Sequence, residues 1–593
     1  MLHKHTDKQR LPVNIVDHHH IDPCLQDFKL LSKELQDIAS NSEKLKALGS
    51  KENKESHLLS MKYVIPKEGV PADQAYDMIH NELTLDGNTH LNLASFVNTS
   101  TTHEVRKLIS ENLTKNLADN DEYPQLIELT QRCISMLSGL WNANPEEEPI
   151  GCATTGSSEA IMLGGLAMKK MWEKKMKAAG RTDTSKPNII MSSACQVALE
   201  KFARYFDVEC RLVPVSRKSH HMLDPNLLWD FVDENTIGCF VIMGTTYTGH
   251  LENVAEVGDV LTAIEKQHPE WANKDIPIHV DGASGGFIVP FAFSREQLKA
   301  YGVPNWGFDH PRVVSINTSG HKFGLTTPGL GWVLWRDESH LAPELRFRLK
   351  YLGGVEETFG LNFSRPGFQV VHQYYNFMNL GYDGYRDTFK RSLFVARVFA
   401  HQILRSPIFN DYFEVVSSIH ESIDGDKVPD AANDYWENPE KYKPGVPLIA
   451  FKFSDKFQKE YPEVPQALLS HMLRTRGWII PNYPLPHSTD GSDKCEVLRV
   501  VFRNEMSLDL AQLLLSDIQA VLRKLQGSYS GLKTISHESD SDKRRDYVYK
   551  MLLALASPDA DIGEDEDEET KEKKASKKEE IKQRLKRNYR GTC

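Results

Sequence analysis

Residues 312–324 read RVVSINTSGHKFG. The first half is a β-branched run of strand character, and the second is a turn in which a single lysine, Lys322, follows Ser319, Gly320 and His321. Most lysines end as surface ammonium groups in solvent. One set among small residues and glycines directly behind a strand can instead be an amine held where it reacts, and the neighbouring segments decide between the two.

Working outward, the segment before it, IPIHVDGA (276–283), is again a strand pattern, apolar except for His279 and Asp281. Further strand patterns lie at NIIMSS (188–193), VECRLVPV (208–215), TIGCFVIMG (236–244) and GWVLWR (331–336). Helical patterns alternate with them at 157–180, 198–206 and 254–268. This alternation predicts an α/β fold with a mostly parallel sheet covered by helices on both faces. A long amphipathic stretch, 369–404, leads away from the sheet, and its glycine-containing middle is expected to break it. Strand PLIAFKFS, helix VPQALLSHMLRTRG, strand EVLRVVFR and closing helix SLDLAQLLLSDIQAVLRKL then describe a smaller α+β domain. In open α/β sheets ligands bind at the carboxyl ends of the strands, so the residues just after each strand are where chemistry is expected.

Three such ends carry chemistry. GCATTGSSEA (151–160) runs from a small-residue loop into a helix with Ser157, Ser158 and Glu159 in its first turn. Free N–H groups, two hydroxyls and the positive end of the helix dipole suit a phosphate; the plainer reading is a serine N-cap. Asp281 needs a cationic or donor partner at the buried end of its strand, as a structural cap or as the group holding a proton on a heterocyclic nitrogen. Lys322 is the third. A phosphate cup, a strand-end aspartate and a strand-end lysine, in that order, are the parts that hold pyridoxal 5′-phosphate: the lysine forms the imine, the aspartate keeps the ring nitrogen protonated, and the helix start grips the phosphate.

Composition narrows the remaining classes. With 593 residues the chain exceeds one ordinary core, and Lys+Arg 71 against Asp+Glu 82 gives a net charge of −11. No basic face with interleaved aromatics accompanies that charge, so no nucleic-acid partner is expected. The 8 cysteines form no C-x-x-C pair, and MLHKHTDKQR lacks the apolar core of a signal peptide, which predicts a reducing, cytoplasmic setting. No apolar run is long enough for a membrane span. The run Asp17–His20, DHHH, invites a metal reading, but in a polar arm no metal site is expected.

LDGNTHLNLASF, NDEYPQ, TTGSSEAIMLGGLAMK, PNIIMSS, HVDGASGGF, SGHKFGLTTPGLGWVLWRD, YLGG and NFSRPG together resemble the glutamate decarboxylase family of pyridoxal-phosphate-dependent group II amino-acid decarboxylases, in the family's order, from about residue 62 to about 527. The resemblance implies fold type I: a large domain with a mostly parallel seven-stranded sheet and a smaller C-terminal α+β domain. The division expected is a flexible N-terminal arm over 1–58, a segment at 59–120 contributing to the dimer and the substrate pocket, a cofactor-binding domain over 121–385, the small domain over 386–530, and a charged, largely disordered tail over 531–593. It further implies a lyase that converts L-glutamate to 4-aminobutyrate and CO₂ through a Schiff base and a quinonoid carbanion, as in glutamate catabolism by the GABA shunt. Another pyridoxal-phosphate decarboxylase is the alternative, against which Gln196 and the LASF and TKNLAD segments speak.

Carried over by residue, the resemblance implies Lys322 as the Schiff-base lysine and Asp281 as the pyridinium partner. Ser157, Ser158, Ser319 and His321 would contact the phosphate, with Ser364 reaching one across a subunit boundary. Gln196 would lie over the ring, Ala283 beneath it, and Thr246 on the ring hydroxyl. Arg499 would bind the α-carboxylate, although Arg503, on the same face of the strand pattern, is easily confused with it. Ser95, Phe96, Asn116 and Asp119 would line the pocket for the distal carboxylate, Asp119 donating a hydrogen bond in protonated form, so that activity falls as pH rises. The proton donor to Cα is Lys322 or Tyr351 of KYLGG, whose glycine pair allows a closing movement. At least a homodimer is implied. The tail segment KEEIKQRLKRNYR has some helical pattern but lacks the tryptophan and bulky apolar anchors of a calmodulin target, so disorder is expected there.

Overall fold

The computed structural model describes residues 65–119, 121–144, 146–349, 356–462, 464–486 and 495–536. The expected N-terminal arm with its DHHH run, Tyr351 and the tail beyond 536 lie outside the described residues. The chain divides into two units, one ending at Asp86 and one beginning at Gly87. The described part of the first holds the helix Ala72–Leu83, with Asp73 in its first turn and His80 in its last, an arrangement that complements the helix dipole.

The second unit is built on a seven-stranded sheet: β1 (Ile150–Thr154), β2 (Asn188–Ser192), β3 (Glu209–Val213), β4 (Thr236–Ile242), β5 (Ile278–Asp281), β6 (Val313–Ser319) and β7 (Gly331–Trp335), in the order β1-β7-β6-β5-β4-β2-β3. Strands β3, β2, β4, β5 and β6 pair in parallel, and β7 runs antiparallel to both β6 and β1. Every residue of β4 to β7 is buried, because a parallel sheet covered on both faces leaves no strand surface to water. The sequence patterns locate six of these strands; β1 is the seventh, a short run of small residues, IGCAT, that carries no periodicity of its own.

Helix α1 (Ser157–Ala178) follows β1 and packs across the sheet, and helix α2 (Val197–Tyr205) follows β2. The closeness of α1 to its neighbours depends on Gly164 and Gly165. A Cβ on Gly164 would meet the His279 ring at 2.4 Å, and one on Gly165 would meet the Phe202 ring at 2.6 Å. Either clash would push the helix off the sheet.

Helix α3 (Phe368–Arg405) passes the expected domain border at 385 without ending, but Gly381 adopts φ 60°, ψ −171° inside it and kinks the helix where the sequence places a break. The C-terminal part carries a four-stranded antiparallel sheet in the order Phe413–Val415, Leu448–Phe453, Glu496–Val501, Asn482–Pro484. Helix Gln466–Arg474 packs on its edge strand Asn482–Pro484, helix Leu508–Ser536 packs on that helix and on α3, and α3 packs on Phe413–Val415 and Leu448–Phe453. Arg499 pairs in register with Ala450 on the neighbouring strand. No helix among the described residues is long and apolar enough to cross a membrane.

Candidate active site

The carboxyl ends of β4, β5 and β6 and the start of α1 surround a cavity of about 480 Å³. Its walls include Ser95, Phe96, Ser157, Ser158, Gln196, Thr246, Asp281, Ala283, Ser319, His321, Lys322 and Arg499. These residues span four hundred positions of sequence and meet because each strand end opens on the same edge of the sheet.

Lys322 sits in the turn after β6, its Nζ 3.3 Å from Ser284 Oγ. Burial pushes its pKa down to about 8; the Asp281 carboxylate acts against this and Arg499 adds to it. An amine in that range is a nucleophile near neutrality. Asp281 ends β5 and is 4% exposed; its Oδ1 accepts from Ala283 N and from Asn317 Nδ2, both at 3.0 Å.

Arg499 projects from the small sheet into the same cavity and is 7% exposed. Its Nη1 donates to Thr246 O at 2.8 Å and its Nη2 to Ala94 O, while Nε is buried with no hydrogen-bond partner among the described residues. The guanidinium lies 4.9 Å from the Phe96 ring centre and 5.5 Å from that of Tyr483. Lys322 Nζ stands 5.1 Å from the same Phe96 ring, so this phenyl group touches both cations. Arg503 is separated from this function by its position. Beyond the strand end it donates to Val97 O at 2.8 Å and Thr89 O at 2.9 Å, and it acts as a clamp on the segment that carries Ser95 and Phe96.

The start of α1 fits a phosphate. Gly156 stands at its N-cap without a side-chain cap, so the first-turn N–H groups face the cavity unclaimed by a capping oxygen. Ser157 Oγ and Ser319 Oγ are 2.6 Å apart, two hydroxyls from different elements aimed at one place. His321 Nδ1 donates to Leu330 O at 2.8 Å, which leaves Nε2 as an acceptor; burial, and then Lys322, lower its pKa. Gln196 caps α2 through Oε1, which accepts from Ala198 N at 2.7 Å. A reactive amine, a carboxylate and an uncapped helix start with two hydroxyls are the donor set that pyridoxal 5′-phosphate requires. Among the described residues no three His, Cys, Asp or Glu side chains gather as metal ligands.

Asn116, Asp119 and Ser364 do not line this cavity. They meet one another instead: Asn116 Nδ2 donates to Asp119 Oδ1 at 3.2 Å and to Ser364 Oγ at 3.3 Å. The segment 115–117 is tied to 365–367 through Leu117 N to Arg365 O and Gly367 N to Lys115 O, both 2.8 Å. Ser364 is exposed.

Sequence reasoning missed Glu159 as a structural link. It is buried in the first turn of α1, where it accepts from Thr155 N, Thr155 Oγ1, Asn362 N and Asn362 Nδ2 at 2.8–3.1 Å. It thereby holds the segment carrying Ser364 to the phosphate cup. Ser284 and Tyr483 were also missed; the signal for Ser284 was its place in DGASGG, while Tyr483 has none.

Comparison with known proteins shows the family. The conserved domain of pyridoxal-dependent decarboxylases matches residues 66–421. The chain is 66% identical over 596 residues, covering 100% of both, to a glutamate decarboxylase of Saccharomyces cerevisiae. It is 39% identical over 507 residues, 84% of this chain and 91% of the relative, to a glutamate decarboxylase of Solanum lycopersicum. The solved glutamate decarboxylase of Lactobacillus brevis superposes with a TM-score of 0.67 at 35% identity, covering 78% of this chain and 95% of that one. By domain, by sequence over its whole length and by fold, the chain belongs to the pyridoxal-dependent decarboxylases and, among them, to the glutamate decarboxylase family.

Proposed function

We propose that this chain decarboxylates L-glutamate at Cα, releasing 4-aminobutyrate and CO₂, with pyridoxal 5′-phosphate held on Lys322. The observation that carries the reading is the convergence of Lys322, Asp281 and Arg499 on one cavity. When bound, the cofactor supplies an electron-accepting ring into which the bonding pair of the departing carboxylate passes.

The chain's own groups do the rest. The depressed basicity of Lys322 keeps a share of the amine neutral near pH 7 and able to attack a carbonyl carbon. Asp281 holds a proton at the ring nitrogen. Arg499, fixed by two backbone carbonyls and braced on Phe96 and Tyr483, would grip the α-carboxylate and fix the orientation of its bond to Cα. One proton is consumed for each CO₂ released, delivered to Cα by Lys322 or by Tyr351. Ser157, Ser158 and Ser319 hold the phosphate, with His321 donating from Nε2 once the phosphate charge favours its protonated form; Gln196 and Ala283 would bracket the cofactor ring, and Thr246 would take its hydroxyl.

The distal carboxylate is read by Ser95 and Phe96 of one subunit with Asn116 and Asp119 of a second copy, whose Ser364 reaches the phosphate. This makes the working unit at least a homodimer. The placement of these three away from their own chain's cavity supports the reading. A cytoplasmic setting is supported by Cys133, Cys152, Cys195, Cys210 and Cys239, none of which forms a disulfide among the described residues. The test is the purified protein with a panel of amino acids. CO₂ from L-glutamate with stoichiometric 4-aminobutyrate is expected, and equal release from L-aspartate or an aromatic amino acid would overturn the substrate assignment.

A further inference from the structure

Strands β5 and β6 place four polar side chains in one buried ladder. In register His279 stands beside Ser315 and Asp281 beside Asn317, and since successive side chains alternate, all four lie on the same face of the sheet. His279, Ser315 and Asn317 are each 0% exposed. The bonds between them form a single line: Ser315 Oγ to His279 Nδ1 at 2.7 Å, His279 Nε2 to Asn317 Oδ1 at 2.7 Å, and Asn317 Nδ2 to Asp281 Oδ1 at 3.0 Å.

The direction of each bond follows from what its end can do. A carboxylate only accepts, so the Asn317 amide turns its NH₂ toward Asp281 and its oxygen toward His279. That oxygen needs a donor, which fixes the His279 proton on Nε2 and leaves Nδ1 to accept from the Ser315 hydroxyl. Burial pushes the His279 pKa down to about 4, so the ring is neutral and has only this one N–H to give. Every donor in the line points toward Asp281, and aligned bonds in a dry interior polarise one another. The fold makes room for the ring: Gly164 of α1 faces it where any Cβ would collide, and Phe240 meets it edge-on at 5.3 Å.

We propose that Asn317, locked by neutral His279, is the positioning residue that orients Asp281 for the cofactor. With Asn317 and the Ala283 N–H both on Oδ1, the carboxylate is held in one rotamer and Oδ2 is left to the cavity. His279 acts through Asn317 and touches neither cofactor nor substrate. This rests on the reading of Asp281 as the partner of the ring nitrogen.

The experiment compares Asn317→Ala, His279→Leu, His279→Gln and Asp281→Ala with the parent. It reads cofactor affinity by titration of the cofactor-free protein, kcat and KM for glutamate at saturating cofactor, and the melting of the cofactor-free fold. Asn317→Ala and His279→Leu are expected to weaken cofactor binding and lower kcat by about 10-fold to 100-fold, the range for losing a hydrogen bond to a charged group, with KM nearly unchanged because Arg499 is untouched. His279→Gln, which keeps an N–H close to the Nε2 position, is expected to recover most of kcat. A merely structural ladder would instead lower melting in all the ladder variants alike, with no rescue of kcat by glutamine. Parent-like affinity and kcat in Asn317→Ala, alongside loss in Asp281→Ala, would overturn the positioning role. Parent-like behaviour of Asp281→Ala would overturn the reading of the site beneath it.

Discussion

Two clusters in this molecule carry the residues proposed for glutamate chemistry, and they are built in opposite ways. Around Lys322 the walls are strand ends and helix starts of the same chain, closed on one side by the segment of Ser95 and Phe96, the key groups are nearly buried, and each is braced by a partner within hydrogen-bond or ring contact. Around Asn116 the groups sit on loops, Ser364 is exposed, and the hydrogen bonds satisfy one another without enclosing a space. The first cluster is a pocket; the second, on the proposed reading, finishes one in a second copy. Chemistry that moves charge needs a dry, preorganised setting, which a single chain provides at its sheet edge. Recognition of the outer end of the substrate can be left to a surface that becomes enclosed only on assembly.

The largest effect separates the two clusters outright. Lys322→Ala removes the reacting amine, and loss of turnover below detection is expected together with loss of the visible absorption of the lysine-bound cofactor. Asp119→Val should leave that absorption intact and cut turnover. If the second cluster serves a partner's cavity, co-refolding equal amounts of the two inactive variants restores one intact site in each mixed dimer, about a quarter of parental activity by random pairing. No recovery in the mixture would mean that Asp119 acts within its own chain, and the contrast between pocket and surface would collapse.

The same contrast explains what could be read before folding. Lys322, Asp281 and the Ser157–Ser158 turn are legible because each interrupts an apolar strand or opens a helix, and an interruption of a pattern is visible in one dimension. Strand β1 is not, since five small residues alternate nothing. The His279, Ser315 and Asn317 ladder exists only once β5 and β6 adopt their register, 36 to 38 positions apart. The tie between Asn116 and Ser364 spans 248 positions of sequence and could be inferred only through family resemblance. That resemblance implied Ser364 reaching across a subunit boundary and left open on which side of it Asn116 and Asp119 stand.

A smaller effect distinguishes Arg499 from Arg503, which share a strand pattern and look alike in sequence. Arg499→Gln is expected to raise KM for glutamate about 100-fold, the cost of a charge-assisted pair with a carboxylate, on top of the stability lost by releasing the carbonyls of Thr246 and Ala94. Arg503→Gln should lower stability without the KM effect. It removes two buried clamps on the carbonyls of Val97 and Thr89, which costs roughly 1–3 kcal/mol of stability, and it should shift KM little as long as the segment with Phe96 stays in place. Steady-state kinetics and thermal denaturation of the two variants, side by side, decide it. Exchange of the two phenotypes would reassign the carboxylate anchor.

The smallest effect concerns the Lys322 amine itself. Its folded pKa of about 8 lies below the ordinary lysine value of 10.5, so between these limits the unfolded chain binds a proton that the folded one does not. Stability of the cofactor-free protein therefore rises with pH across that window, and below about pH 8 the cost of burying the ammonium is present in full. Capture of the cofactor follows the neutral amine. With a pKa near 8 about a tenth of the amine is neutral at pH 7, so the capture rate should climb about tenfold from pH 7 to 9 and then level off. A rate still climbing in proportion to hydroxide at pH 10 would mean an unperturbed lysine. The midpoint should also respond to its neighbours with opposite signs. Asp281 raises the Lys322 pKa and Arg499 lowers it, so Asp281→Asn should move the midpoint down and Arg499→Gln should move it up. Two shifts in the same direction would mean that the charges around the pocket do not act through Lys322.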